Sequence, residues 1–294
     1  MNIRIKEFVM VAIFVALIFL FGFVPSIGYI VMPPPFPALT IVHIIVLIGI
    51  IALPSIFEGQ NFKKLRYYIY PIILGLAFGL TSFIIAWVLG SGPADLPFRN
   101  PLVSILPRII FGFLAMVLFG ALGKLSNVVQ KKRLISWIIT ALSFLLIGIG
   151  VAYALWSTYS WNPWIVLAVV LGVWILLMVG FYFLLKKIEA KYGYLSVAIM
   201  ISTIVHSVLV LCMFSIFGKA FFLEYFGSYN FVNFWEYIKY IMTTSAMIEI
   251  ALAALIGTPV VIAIKKFVIK EPTQDSLEVE TTKNNVEAVD KPLE

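Results

Sequence analysis

Long apolar runs separated by short polar breaks set the pattern of this chain. They fall at 8 to 25, 40 to 57, 67 to 90, 102 to 122, 134 to 156, 164 to 186, 195 to 217 and 240 to 264. Each is near 20 residues, which at 1.5 Å of rise per residue matches the ~30 Å hydrocarbon core of a bilayer. The pattern predicts an all-α integral membrane protein of about eight transmembrane helices. No loop between runs is long enough to hold a separate folded domain, so one helical bundle is expected. The first run follows Arg4 and Lys6, as a secretory signal would, but it exceeds the usual h-region and has no clear small-residue cleavage site. It is read as a retained first helix.

Composition sharpens this picture. Hydrophobic residues make up 62% of the chain and charged residues 12%, against roughly a quarter charged in soluble domains. The formal charge of +7 raises the question of a nucleic-acid partner, but the basic residues are scattered through short loops between spans and report topology instead. With the N-terminus inside, most of the 21 Lys and Arg residues fall on one side, and the positive-inside rule makes both termini cytoplasmic. Residues 271 to 294 are rich in Asp and Glu and hold no aromatic residue; they read as a disordered acidic tail in the cytoplasm. A single cysteine, Cys212, excludes an intramolecular disulfide and any cysteine-based metal cluster.

In hydrocarbon each polar side chain needs a partner, a cavity or a ligand. On the fourth run Asn100, Ser104, Arg108 and Gly112 recur every four residues, which puts them on one helix face. Arg108 sits ~10 Å deep by helix rise, and its planar fork suits a carboxylate. The last run carries Ser245, Glu249, Ala253 and Gly257 on one face; a structural ion pair between Arg108 and Glu249 is the plain alternative to ligand binding. On the seventh run Ser202 shares a face with His206, and Thr203 with Ser207. His43 lies near the start of the second run, with Thr40 one turn away. These groups could converge on the outer half of the bundle as one polar pocket, although a lone intramembrane histidine is as often a core residue.

Three more features bear on packing. The loop Met32-Pro33-Pro34-Pro35-Phe36-Pro37 is stiff, because each proline fixes its own φ and restricts its predecessor. Ala12 and Ala16 share one face of the first helix, and Gly75 and Gly79 one face of the third, so another helix can approach closely at each. The segment 218 to 239 carries many aromatic residues, as an interfacial belt or a lid would. The chain has no HExxH motif, no GxSxG elbow and no P-loop. No catalytic residues, metal site or cofactor are expected, and any work from ATP must come from elsewhere.

The stretch from Pro33 to Ile44, and the later Arg99-Asn100-Pro101-Leu102-Val103-Ser104-Ile105-Leu106-Pro107-Arg108-Ile109, resemble the substrate-binding S components of energy-coupling factor (ECF) vitamin transporters, nearest the pantothenate-type branch. The Ala12 and Ala16 pair is similar to that family's AxxxA docking signature, and Ile248-Glu249-Ile250-Ala251 ahead of Thr258-Pro259 to its final helix. The resemblance covers about 1 to 125 and 192 to 268. It implies a six-helix core with an inserted helix pair at 134 to 186, whose even number leaves the downstream topology unchanged.

It further implies a vitamin-capture subunit in the cell membrane of a bacterium, working with a membrane coupling subunit and two cytoplasmic ATPase subunits. Thr40, His43, Asn100, Ser104, Arg108, His206, Ser207 and Glu249 would bind the substrate, while Ala12 and Ala16 would grip the coupling subunit. At Val205-His206-Ser207 relatives carry something like Thr-Asn-Thr, which bears on the substrate. Other vitamins (riboflavin, folate, a B6 vitamer or cobalamin), a stand-alone secondary transporter with Glu249 as its proton site, and an intramembrane enzyme built on His43, His206 and Glu249 are the competing readings.

Overall fold

A computed structural model describes residues 3–24, 29–30, 39–57, 64–88, 96–129, 162–187, 193–217 and 245–265, with single positions between 141 and 156 and at 235 and 241. Helix α1 (Ile3–Phe23) leads to a two-residue antiparallel pair, β1 (Tyr29–Ile30) and β2 (Leu39–Thr40), with Tyr29 opposite Thr40. Then come α2 (Val42–Phe57), α3 (Lys64–Val88), a 3₁₀ turn (Leu96–Arg99), α4 (Pro101–Ser104) and α5 (Leu106–Val129). Helices α6 (Pro163–Lys187) and α7 (Gly193–Phe217) follow. The last span is α8 (Ser245–Leu252), a π-turn (Ala253–Gly257) and α9 (Thr258–Ala263). The proline loop, most of the run 134 to 156, the segment 218 to 239 apart from Trp235, and the acidic tail lie outside the described residues.

Among the described residues five helices are long and apolar enough to cross a membrane: Tyr67–Val88, Pro101–Lys124, Pro163–Gly180, Tyr194–Phe217 and Ala246–Ala263. Glu7–Phe23 and Val42–Pro54 are shorter apolar helices. These helices are those of a multi-pass membrane protein, and the regular structure among the described residues is helical save for the strand pair.

Without water to squeeze out, helices in lipid associate through close packing, and small residues let backbones approach. Here glycine sets the central contact. A side-chain carbon added at Gly75 on α3 would strike the Arg108 carbonyl of α5, and one at Gly112 on α5 would strike the Pro71 carbonyl of α3. At Gly79 it would lie 2.7 Å from the Ile105 Cα. The expected small-residue face of α3 is therefore a true crossing point, and it fixes the backbone of Arg108. On the other side of the bundle Gly49 of α2 admits Leu74 and Phe14, while Gly22 of α1 faces Thr81 of α3. A continuous apolar core runs from Ile18, Leu47 and Leu53 through Leu74 and Phe111 to Leu195, Ile199, Ala253 and Val261.

The segment 162–187 stays outside that core. Trp174, Leu177 and Met178 of α6 pack against Phe144 and Ala251, as do Met247 and Leu255, and the Trp174 Nε1–H donates to the Ala141 carbonyl at 3.1 Å. Most other α6 side chains are exposed, Trp164 at its start among them. Trp156 is exposed too, while Trp161 is outside the described residues.

Candidate functional site

The fourth run folds differently from one continuous helix. Pro97, Pro101 and Pro107 lack backbone N–H groups, and the chain takes a 3₁₀ turn, a short helix and a break at Ile105 before α5 begins. Asn100 consequently lies ahead of the helix as an N-cap: its Oδ1 accepts from Leu102 N–H at 2.9 Å. The Ser104 N–H still donates to the Asn100 carbonyl at 3.0 Å, while the Asn100 side chain is engaged in the cap. Ser104 is fully buried and donates its hydroxyl to the Asn100 carbonyl at 3.0 Å.

Arg108, in the first turn of α5, is buried at 5% exposure. Long side chains on a helix lean back toward its N-terminus, and the Arg108 Nη1–H accordingly donates to the Val103 carbonyl at 2.6 Å. Its guanidinium carbon lies 5.4 Å from the centre of the Phe78 ring and 5.1 Å from that of Phe98. Attraction to the aromatic faces offsets part of the cost of removing the cation from water. The guanidinium offers five N–H donors in one plane, a geometry that matches a carboxylate.

Beside it stands an aromatic cluster that brings α2, α3, α5 and α7 together. His43 and His206 stack with centroids 5.7 Å apart and planes 9° from parallel. His206 also meets Phe78 at 5.4 Å and Phe111 at 4.9 Å. Both histidines are buried. Phe78 is the hinge of the arrangement, because one ring touches both the guanidinium and an imidazole. On α7, Thr203 returns its hydroxyl to the Ile199 carbonyl at 2.9 Å. Ser202, His206 and Ser207 have buried polar atoms with no hydrogen-bond partner among the described residues.

The structure thus gathers His43, Arg108 and His206, with Ser202, Thr203 and Ser207 on the same helix as the second histidine. Glu249 is half-buried on α8. Thr40 is described only as backbone of β2, and the side chain of Ser245 lies outside the described residues. Among the described residues no three His, Cys, Asp or Glu side chains group so as to hold a metal ion.

Sequence reasoning missed Phe78, Phe98 and Phe111. With 25 phenylalanines in the chain, nothing in the pattern marks the three that surround polar groups. It also missed Glu7, which is buried and accepts a hydrogen bond from the Tyr70 hydroxyl at 2.9 Å. The signal was there: a carboxylate one residue before an apolar run needs a partner. Ala12 and Ala16 lie on the exposed side of α1, between Phe8 and Leu20. No protein-family model, curated protein or solved structure matches the chain.

Proposed function

We propose that this chain is the substrate-capture component of an ECF-type vitamin importer and that it holds a pantothenate-like acid by its carboxylate. The observation that carries the reading is Arg108: a buried cation in an apolar bundle, flanked by two aromatic rings and set against a pair of buried histidines. Charged groups at such depth are costly and cluster at ion and substrate pathways. In this reading the chain has eight spans with both termini in the cytoplasm of a bacterial cell, and 134 to 186 is an addition to a six-helix core. The outlying position of α6 agrees with that division. The exposed alanines of α1 are available to a membrane coupling subunit, and two ATPase subunits supply the work.

The test is binding of labelled pantothenate to the purified chain and to Arg108→Gln, Glu249→Gln and the double variant, with thermal stability measured alongside. A charge-assisted hydrogen bond is worth roughly 1.5 to 3 kcal/mol, so Arg108→Gln lowers affinity by about one to two powers of ten. A purely structural Arg108–Glu249 pair gives a different pattern: each single variant is destabilised, the double variant recovers, and affinity follows stability. Wild-type affinity in a stably folded Arg108→Gln protein rules out the carboxylate role.

A further inference from the structure

His206 is 5% exposed and packs its ring against His43, Phe78 and Phe111. If packing were its whole task, phenylalanine would serve at least as well and would bury no polar atoms. Instead Nδ1 and Nε2 are both buried without a hydrogen-bond partner among the described residues, and so are the hydroxyls of Ser202 and Ser207. The contrast lies within one helix. Thr203 and Ser215 return their hydroxyls to the carbonyls four residues earlier, at 2.9 and 2.7 Å, the usual way for such side chains to be satisfied in a helix. Ser202 sits one turn before His206 on the same face, and Ser207 adjoins it.

We infer that His206, with Ser202 and Ser207, forms a charge-neutral recognition subsite that hydrogen-bonds a hydroxyl or amide group of the same small acid whose carboxylate Arg108 receives. This rests on the reading of Arg108 given above. The two subsites adjoin across a single side chain, since the Phe78 ring lies 5.4 Å from the guanidinium carbon and 5.4 Å from the His206 ring. Neutral imidazole presents one donor and one acceptor, and each serine hydroxyl presents both; a hydroxyl or amide is the complementary partner. A site built to hydrogen-bond such a group rejects an analogue without it, because its own polar atoms are then left unpaired. The substrate class that follows is a hydroxylated or amide-bearing carboxylic acid, not a plain aliphatic one.

The experiment measures labelled pantothenate binding to the full chain, with competition by butyrate and by a pantothenate analogue whose secondary hydroxyl is replaced by hydrogen. The variants are His206→Phe, His206→Gln and Arg108→Gln, each with its melting temperature. His206→Phe is expected to keep or raise the melting temperature, since it removes buried polar atoms and preserves the aromatic packing. It is also expected to weaken pantothenate binding by about tenfold or more and to reduce the preference for pantothenate over its deoxy analogue. His206→Gln recovers part of both.

His206→Phe with wild-type affinity and wild-type discrimination, while Arg108→Gln binds weakly, overturns the subsite and leaves the carboxylate reading standing. A lower melting temperature in both His206 variants with discrimination intact makes the residue structural and likewise overturns the subsite. Unchanged binding by Arg108→Gln overturns the carboxylate reading and, with it, the two-point ligand. Failure of the wild-type chain to bind pantothenate overturns both.

Discussion

Helices α6 and α7 are each 25 residues long, and both are apolar enough to cross a bilayer, yet half of the span in α7 is buried inside the bundle against 11% in α6. Hydropathy does not separate them. What does is the placement of the few polar side chains. Between Pro163 and Lys187 there is no Ser, Thr, His or Asn, whereas α7 carries Ser196, Ser202, Thr203, His206, Ser207 and Ser215. The outward stripe of α7 is Ile204, Val208, Cys212 and Ile216, and the buried polar residues lie away from it. In lipid, apolar surface is at home on the outside, so a helix is drawn inward by what it must hide from hydrocarbon and by how closely it can be approached.

The strongest way to break this comparison is to add volume to both kinds of helix. Gly112→Val or Gly75→Val forces a branched side chain into a facing backbone that cannot swing aside. A loss of roughly 3 kcal/mol or more is expected, beyond the usual range for overpacked cores, seen as aggregation or failure to purify. A side-chain carbon added at Gly172 or Gly180 of α6 would meet nothing within 4 Å among the described residues, so Gly172→Val should melt and bind as the wild type does. Equal damage at both places would mean that α6 packs as tightly as the crossing of α3 and α5.

The same contrast separates what the sequence disclosed from what it hid. Gly75 and Gly79 were legible as a contact face because small residues four apart on an apolar helix have few other uses. The N-cap role of Asn100 was hidden because helical spacing was extended through three prolines, where the chain forms a 3₁₀ turn, a short helix and then a longer one. The stack of His43 on His206 was out of reach for a different reason: spacing gives the face and depth of a residue on its own helix but not the rotation of one helix against the next. The aromatic shell around Arg108 was hidden by the abundance of phenylalanine.

A second exposed face sharpens the comparison. On α1 the outward stripe runs through Phe8, Ala12, Ala16 and Leu20, with small residues at its centre where α6 presents Ile175, Leu176 and Phe183. Ala12→Leu combined with Ala16→Leu should abolish uptake of labelled pantothenate in cells, while binding to the purified chain changes by less than about threefold, because surface changes that touch nothing inside a protein cost little. Weakened binding with uptake retained would show that this face serves the interior and not a partner.

The smallest effect is expected at the contact that holds α6 to the rest of the molecule. Trp174→Phe keeps most of the ring against the Phe144 and Ala251 cluster and removes the Nε1–H bond to the Ala141 carbonyl. A neutral hydrogen bond contributes about 0.5 to 1.5 kcal/mol net, and measured values in membrane bundles average near 0.6. The melting temperature should therefore fall by only a few degrees, and pantothenate affinity should not change, because α6 reaches the polar cluster through no side chain in its hydrophobic contacts with α8. A loss of affinity in Trp174→Phe comparable to that in Arg108→Gln would place the outlying helix in the binding machinery, and the division between a polar-lined interior and a lipid-facing exterior would have to be redrawn.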